Sequence, residues 1–360
     1  MLATLMLGGQ PRKVLMQAPK NGFFYVIDRM TGKPISAKPF VNGITWATGI
    51  DPVSWRPLDT AGNRYLDAPF LGSPGHAGAH SWPPAAYSPQ TGFAYIPTSQ
   101  NNWLYSAQST EAHGINPGAS EDKLPKSPNY LQAFEPISGK EIWRVDADDD
   151  RIASGGGGVL ATAGGLVFQG RGEATGYLLA IAAKTGRVLW RHETPNGIMA
   201  APITYSVRGE QYVAVVGGAG GMMLYGVRSQ GREPQPGRIY AFKIGGRAAL
   251  SPPSSPVGTI QTPTESFSAS QIVAGADFYK GFCSRCHGAI RRASNVVPDL
   301  RRSAAATDAK LWKTIVIDGL LSERGMIGWS DQLSVANAES IRAYVNSETA
   351  LVARAQRPTE

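Results

Sequence analysis

The chain contains two cysteines, Cys283 and Cys286, and both lie in the sequence Cys-Ser-Arg-Cys-His that ends at His287. Two thiols three residues apart on one helical turn can each form a thioether bond with a vinyl group of a single haem. A histidine that follows directly can turn its ring onto the iron. This spacing therefore predicts one covalently attached haem c.

A zinc site and a redox-active dithiol are the competing interpretations of these cysteines. A structural zinc site requires about four Cys or His ligands, but the remaining histidines lie far upstream without finger spacing: His76, His80, His113 and His192. A thioredoxin-like dithiol follows a strand in a βαβ unit, whereas Ile272, Ala276 and Tyr279 approach Cys283 at helical spacing. The pattern favours haem c and leaves the dithiol as an alternative.

Counting identifies a candidate for the second axial ligand of the iron. From residue 268 onward His287 is the only histidine and Met326 the only methionine, and Met326 stands between glycines in Arg324-Gly-Met-Ile-Gly-Trp329. A thioether ligand favours reduced iron and raises its potential. We therefore expect His287 and Met326 to be the axial ligands. A core methionine is the alternative, and ligation by a lysine is a remote one: Lys280, Lys310 or Lys313.

The sequence around this motif predicts helices. One apolar helical face is formed by Leu311, Trp312, Ile315 and Val316 and ends before Gly319; another is formed by Ile341, Tyr344 and Val345, with Ser334 as a candidate N-cap. Four arginines are interpreted as a solvated face that could also dock a partner: Arg291, Arg292, Arg301 and Arg302.

The chain upstream of this helical part is predicted to be all-β. Short apolar runs bounded by turn residues lie at residues 14–16, 23–27, 93–96, 166–168 and 212–216. Thr-Gly or Ser-Gly pairs begin at residues 31, 91, 138 and 185, at intervals of 60, 47 and 47. Each pair predicts a tight turn between two outer strands, with its glycine at positive φ. Trp143 and Trp190 follow two of these turns and can wedge against the next unit.

Repeats of this length in a β pattern favour propeller blades, and a sandwich is the alternative. About 245 residues at this spacing correspond to roughly four to five blades. We predict a β domain over 1–245, a Pro/Ser-rich linker over 246–267 and a helical domain over 268–360.

Composition limits the partners of the chain. A net charge of +8 and a pI near 9.4 are compatible with a solvated basic surface, and no nucleic-acid-binding module is recognisable. No apolar run reaches the length of a membrane span. Met1–Gly9 is apolar but lacks the basic start of a signal peptide, whereas covalent haem attachment points to the bacterial periplasm.

Several segments resemble the pyrroloquinoline-quinone (PQQ) dependent alcohol dehydrogenases. They are residues 17–29 (QAPKNGFFYVIDR), 78–84 (GAHSWPP), 164–170 (GGLVFQG) and 197–202 (GIMAAP). This family has an eight-bladed propeller with tryptophan docking motifs. Its quinohaemoprotein members carry a C-terminal cytochrome c domain. The resemblance implies a partial PQQ-type propeller followed by an all-α class I cytochrome c domain.

The resemblance also implies residues for the quinone site. Lys20 matches the basic residue that approaches the reactive quinone oxygens. Ser81 and Trp82 stand where many relatives have Asn-Trp, and Trp82 can equally be a core or docking tryptophan. Ala219 stands where the family often has a tryptophan, so backbone contact with PQQ can persist while the aromatic wall is lost. His76 and His80 are interpreted as the rim of this pocket.

The expected activity is oxidation of an alcohol by PQQ, with electrons passing to haem c and to an external acceptor: a copper protein, another cytochrome or ubiquinone. The family's catalytic aspartate context, calcium ligands and adjacent-cysteine disulfide are not found in the chain. We therefore expect the chain to correspond to the C-terminal portion of such an enzyme. An arc of blades that does not close leaves an apolar edge. The alternative is a non-catalytic electron carrier, or a split subunit that needs the other half in trans.

Overall fold

The structure is a computed structural model, and it describes residues 1–107, 128–147, 156–172, 175–218, 237–250, 260, 263–288 and 297–355. The described residues divide into two compact units. The first contains those up to residue 250, and the second contains those from residue 260 onward.

The first unit is built from strands. In chain order they are β1 (Leu2–Leu7), β2 (Gln10–Gln17), β3 (Phe23–Asp28), β4 (Pro34–Pro39), β5 (Ala47–Ile50), β6 (Pro57–Asp59), β7 (Phe70–Gly72), β8 (Ala86–Ser88), β9 (Phe93–Ser99), β10 (Trp103–Tyr105), β11 (Asn129–Phe134), β12 (Glu141–Asp146), β13 (Val159–Ala161), β14 (Leu166–Arg171), β15 (Gly176–Ala182), β16 (Val188–Thr194), β17 (Ile203–Val207), β18 (Glu210–Gly217) and β19 (Arg238–Lys243). Each of the five apolar runs predicted as strands lies within one of them.

These strands form antiparallel sheets that we number as blades. Blade 1 contains β1–β4, blade 2 contains β8, β9, β11 and β12, blade 3 contains β13–β16, and blade 4 contains β17–β19. Two small sheets accompany them: β5 pairs with β6 between the first two blades in sequence, and β7 pairs with β10, which lies between β9 and β11 of blade 2. The four blades among the described residues agree with the four to five that the repeat spacing predicts.

Successive blades pack face to face. Because side chains alternate along a strand, Ala94 and Ile96 of blade 2 pack with blade 1, whereas Tyr95 between them packs with blade 3. All six residues of β11 are buried. A two-sheet sandwich buries one face of each sheet, so a sheet covered on both faces distinguishes the propeller from the sandwich.

The turn glycines take the predicted conformation. Gly32, Gly92, Gly139 and Gly186 have φ between 72° and 77°. Three of the turns join the last two strands of a blade, as predicted. The prediction is wrong for Thr91-Gly92, which joins β8 to β9, the first two strands of blade 2. A Thr-Gly pair suits any tight hairpin, so the interval of 60 residues does not measure one blade.

Trp143 docks blade 2 onto blade 3, as predicted. Its Nε1–H donates to the carbonyl of Ala183 at 3.0 Å. A Cβ on Gly186 would lie 2.8 Å from the Trp143 ring, so the turn glycine also makes room for the indole. Trp190 contacts the next blade in a looser way: its ring meets that of Phe242 edge-on at 5.4 Å and it stays 38% exposed.

Blade 4 has an apolar outer face. The register places Ile203, Val207, Val216 and Ile239 on the same side of the sheet. Ile203, Val216 and Ile239 are 60%, 53% and 78% exposed. These three side chains form an exposed apolar patch on blade 4.

The second unit is helical. Its helices are α1 (Ala269–Phe282), α2 (Ser284–His287), α3 (Ala309–Val316) and α4 (Val335–Ala355), with 3₁₀ turns at Leu300–Arg302, Ala304–Thr307 and Ser322–Arg324. Ser268 and Gln271 form a capping box at the start of α1, where the sequence predicts the change to helix. Ser334 caps α4 by accepting from the Asn337 N–H, which confirms it as the N-cap.

Helices α1 and α4 cross at Gly275. A Cβ at this position would lie 3.0 Å from the Cβ of Tyr344 and closer still to the Ser340 carbonyl. The crossing aligns Tyr279 edge-on to Tyr344, with ring centroids 5.5 Å apart. The predicted helical faces supply the core of this unit through Trp312, Val316, Ile341 and Val345.

The prediction that four arginines form a solvated face is wrong for Arg301. Its side chain is only 6% exposed and pairs with Asp299 at 2.6 Å. Asp299, two residues earlier, accepts from both the Nε and the Nη2 of Arg301, which satisfies the buried guanidinium locally. Arg302 is exposed, and Arg291 and Arg292 lie outside the described residues.

Among the described residues, no helix combines the length and the apolarity needed to cross a membrane.

Candidate functional site

The two cysteines share one helical turn. Cys283 caps the C-terminus of α1, and Cys286 and His287 lie on α2. The N–H groups of Cys286 and His287 both donate to the Cys283 carbonyl, at 3.2 and 2.9 Å. Cys283 is buried and Cys286 is exposed. The geometry therefore presents both thiols from one turn, as haem attachment requires.

The thiol pKa argues against the dithiol interpretation. Burial raises the pKa of Cys283 to about 12, and the neighbouring Cys286 adds to the effect. A redox-active pair works through a thiolate, which demands a lowered pKa. Cys283 therefore lacks the lowered pKa that a redox-active dithiol requires.

His287 is oriented by a backbone carbonyl. Its Nδ1 lies 2.9 Å from the oxygen of Pro298. Because a carbonyl only accepts, Nδ1 carries the hydrogen and the Nε2 lone pair is available to a metal. Burial lowers the pKa of His287, with Pro298 opposing the effect. The ring is thus held neutral and in the tautomer that an iron ligand needs.

Met326 lies just after the 3₁₀ turn Ser322–Arg324. It follows Gly325, which has φ of 91°, and its N–H donates to Leu321 at 3.2 Å. Its half-buried side chain packs against the core that contains Cys283. Phe282 and Trp329 meet edge-on in the same core at 5.2 Å. Apolar walls, two thiols and a neutral imidazole fit a haem, while coordination by Met326 stays a prediction.

Tyr279 has a role that the sequence reasoning missed. Its hydroxyl donates to the Gly288 carbonyl at 2.7 Å and so ties α1 to the end of the haem-attachment turn. The periodic pattern identifies Tyr279 only as a buried helical position. A signal was present, because a buried tyrosine needs a partner for its hydroxyl.

Lys20 and Ser81 come together in the first unit. Both line a cavity of about 650 Å³, which we call the quinone cavity, together with His80, Gln17 and Pro84. The Lys20 Nζ donates to the His76 carbonyl at 3.2 Å. A Cβ on Gly78 would lie 2.7 Å from the Lys20 Cα, so this glycine permits the close approach of the loop to Lys20.

His80 lines this cavity, in agreement with its interpretation as part of the rim. The ring is buried, and its Nδ1 lies 2.7 Å from the Pro97 carbonyl. Burial lowers the pKa of His80, and the bond to Pro97 opposes the shift. His80 is therefore a neutral side chain that lines the same cavity as Lys20. His76 contributes its carbonyl, and its ring is tilted by 57° against that of Trp103 with the centroids 3.9 Å apart.

Of the remaining two quinone-site predictions, one lies away from the described lining of this cavity and the other falls outside the described residues. Trp82 is 55% exposed, which excludes a core role, and it is absent from the described lining of the quinone cavity. Ala219 lies outside the described residues. The residues that are present fit one side of PQQ, since a flat tricarboxylate needs a cation, hydroxyl donors and a cavity of this size.

Two family models match the two units. Residues 151–213 match the model "Glucose/ethanol/alcohol dehydrogenase, beta-propeller domain". Residues 270–345 match the model "Cytochrome C oxidase, cbb3-type, subunit III".

Full-length comparisons extend this result. The chain is 36% identical to quinohemoprotein alcohol dehydrogenase ADH IIB of Pseudomonas putida, covering 96% of the chain and 51% of that protein. It is 34% identical to 1-butanol dehydrogenase (cytochrome c) of Thauera butanivorans, covering 96% of the chain and 51% of the relative. The chain thus spans about half the length of the curated relatives it matches.

Solved structures agree with the sequence comparisons. Quinohemoprotein alcohol dehydrogenase ADHIIG of Pseudomonas putida superposes with a TM-score of 0.73 at 34% identity, covering 99% of this chain and 54% of that one. Quinohemoprotein alcohol dehydrogenase of Comamonas testosteroni superposes with a TM-score of 0.68 at 33% identity, covering 99% of this chain and 53% of that one. The chain is therefore a homologue of the quinohemoprotein alcohol dehydrogenases, with a PQQ-type propeller region followed by a cytochrome c region.

Proposed function

We propose that this protein takes part in the PQQ-dependent oxidation of an alcohol and delivers the electrons through haem c to an external acceptor. The observation that carries the proposal is the pairing, in one chain, of a CxxCH turn whose histidine is fixed by Pro298 with a cavity that joins Lys20 and Ser81. A carrier needs only the first of these features, and a quinone-linked enzyme needs both.

The second unit holds the haem in this proposal. When bound, haem c supplies one-electron redox chemistry. Cys283 and Cys286 would form its two thioether bonds, and His287 would coordinate the iron through Nε2 because Nδ1 is committed to Pro298. Met326 would be the second protein ligand of the iron. Phe282, Trp329 and Met326 pack against the same apolar core.

The first unit holds the quinone. When bound, PQQ supplies the carbonyl that accepts a hydride from the alcohol carbon. The Lys20 ammonium would stabilise negative charge at the reactive oxygens, and the Ser81 hydroxyl would donate a hydrogen bond to the cofactor. Trp82 and the backbone near Ala219 stay candidate contacts. The proposal also includes calcium and an aspartate base. Neither the calcium ligands nor the aspartate is identified in this sequence.

The partners follow from this assignment. They are an alcohol and an external acceptor such as a copper protein, a cytochrome or ubiquinone, met in the periplasm. The alternative is a haem-carrying electron carrier, or a split subunit that acts with the other half supplied in trans.

A reconstitution experiment separates the two functions. The chain is produced in a host that attaches haem c, and the pyridine-haemochrome spectrum is recorded. Alcohol-dependent dye reduction is then measured with and without PQQ and calcium. PQQ-dependent reduction that is lost in Lys20→Met and kept in Lys13→Met, an exposed lysine outside the cavity, supports the enzyme. A haem that only an added electron donor reduces supports the carrier.

A further inference from the structure

A second cavity of the first unit shares Lys20 with the quinone cavity. It measures about 410 Å³, and its aromatic lining consists of Trp46, Tyr65, Phe70 and Tyr105. We call it the aromatic cavity. We propose that it holds the body of the alcohol substrate and selects alcohols that carry a flat aromatic ring. This inference rests on the proposed function and names its substrate class.

Lys20 is the common wall of the two cavities. A molecule in the aromatic cavity therefore lies beside the same lysine that approaches the quinone oxygens in the proposed function. The volume of about 410 Å³ lies at the lower end of the range for small-molecule sites. An alcohol whose ring occupies the aromatic cavity can thus place its carbinol carbon towards Lys20.

Two tyrosines form a stacked wall of the aromatic cavity. The rings of Tyr65 and Tyr105 lie 5.4 Å apart at an interplanar angle of 20°. Gly72 makes this possible, since a Cβ there would lie 2.6 Å from the Tyr105 ring. Tyr65 has φ of 46°, and its N–H donates to Gly62 at 2.9 Å. Positive φ is rare for a bulky residue and accumulates at ligand-binding positions.

The opposite wall is fixed by hydrogen bonds. The Trp46 Nε1–H donates to the Asn21 carbonyl at 3.0 Å, and the Asn63 amide donates to the Trp46 carbonyl at 3.0 Å. The indole is therefore held in place before a ligand enters. A preorganised aromatic surface favours a flat ring, because offset or edge-on contacts between rings add to the burial of apolar area.

The charges of the lining favour a neutral ligand. Arg64 and Asp59 form an ion pair at 3.0 Å and offset each other. Lys20 is then the remaining cation among the described lining residues. The polar end of a neutral alcohol can accept a hydrogen bond from Lys20, while its ring meets uncharged side chains.

The test compares benzyl alcohol with cyclohexylmethanol, which has a saturated ring of similar size. Binding to the haem-loaded full chain is measured by saturation-transfer NMR, without PQQ and without turnover. We expect benzyl alcohol to bind at least threefold more tightly. Tyr65→Leu should abolish this preference, and Phe70→Leu should reduce it. Tyr205→Leu is the control, because Tyr205 is an exposed tyrosine of β17 outside the aromatic cavity.

The outcomes separate this inference from the proposed function. Equal binding of the two alcohols, or equal behaviour of Tyr65→Leu and Tyr205→Leu, would overturn the ring-binding site even if PQQ-dependent dye reduction is observed. Ring-selective binding without any PQQ-dependent dye reduction would instead overturn the proposed function. Circular dichroism verifies that each variant is folded. If Tyr65→Leu does not fold, Phe70→Leu tests the site in its place.

Discussion

The crossing of α1 and α4 gives a sharp prediction, because two glycines of one helix occupy opposite environments. A Cβ at Gly275 would lie 2.6 Å from the carbonyl carbon of Ser340 and 3.0 Å from the Cβ of Tyr344. At Gly281 the same atom would meet nothing within 4 Å. The substitution Gly→Ala is therefore chemically identical at the two positions and differs only in what the new methyl group contacts.

The expected effects have opposite signs. Alanine is favoured over glycine inside a helix by roughly 0.5–1 kcal/mol, so Gly281→Ala should stabilise the second unit by about that amount. Gly275→Ala gains the same helix propensity, but its new methyl group must push α4 away. Overpacking of this kind costs about 1–3 kcal/mol of stability, or more when the clash is with backbone atoms. We expect the free energy of unfolding of the second unit to fall by about 2 kcal/mol, which lowers the Tm of a unit of this size by roughly 10 °C.

Thermal unfolding of the haem-loaded chain, followed through the haem absorption band, measures the second unit selectively. Gly275→Ala should unfold well below the wild type and Gly281→Ala slightly above it. Because Gly275 precedes the haem turn by two helical turns, haem content should stay equal in both variants before heating. If the two variants unfold within about 2 °C of each other, the close crossing of α1 and α4 is refuted.

Three further predictions test the sites. Met326→Leu should keep covalent haem but lower the reduction potential, because the thioether ligand that favours reduced iron is lost; an unchanged potential in redox titration would make Met326 a core residue. Trp143→Phe should lower the free energy of unfolding of the first unit by about 1–2 kcal/mol, because the bond to Ala183 is lost; denaturant unfolding should show a smaller effect for Trp190→Phe, and equal effects would contradict the docking role. Burial lowers the pKa of His80 below its ordinary 6.5, so the unfolded chain binds the proton more readily and stability falls as pH drops through that value; His80→Gln should flatten the change in unfolding free energy between about pH 8 and about pH 5, and an unaltered slope would exclude His80 as its source.

The haem turn was predictable because covalent attachment requires contiguous residues. The spacing of Cys283, Cys286 and His287 defines its own geometry, and the structure adds only the orientation by Pro298 and Tyr279. The strands and helix starts were predictable for a similar reason, since alternation and capping act over a few residues. The β–helix boundary near Ser268 is an example: its capping box is complete within four residues.

The quinone cavity was less predictable because it is assembled from separate loops. Lys20 and Ser81 lie 61 positions apart in sequence and meet through the bond between the Ala79 N–H and the Lys20 carbonyl. Family resemblance suggested the pair, and spacing alone did not. The prediction that Arg301 is solvated failed because burial depends on the fold. The sequence shows an arginine in a basic run, and only the fold shows that Asp299 turns back to pair with it.

The turn glycines show why a repeated motif does not have a single function. Gly92 and Gly186 share the Thr-Gly pair and nearly the same φ, 76° and 74°. A Cβ on Gly92 would meet nothing within 4 Å, whereas on Gly186 it would meet the Trp143 ring. The conformational requirement is local and is therefore visible in the sequence.

The docking requirement depends on which blade precedes the turn, because a long side chain from that blade must reach it. In blade 2 the corresponding turn glycine, Gly139, meets the side chain of Lys38 from blade 1 instead of a tryptophan. The repeat therefore encodes the hairpin directly, and it encodes the blade interface only through the residue that the neighbouring outer strand supplies.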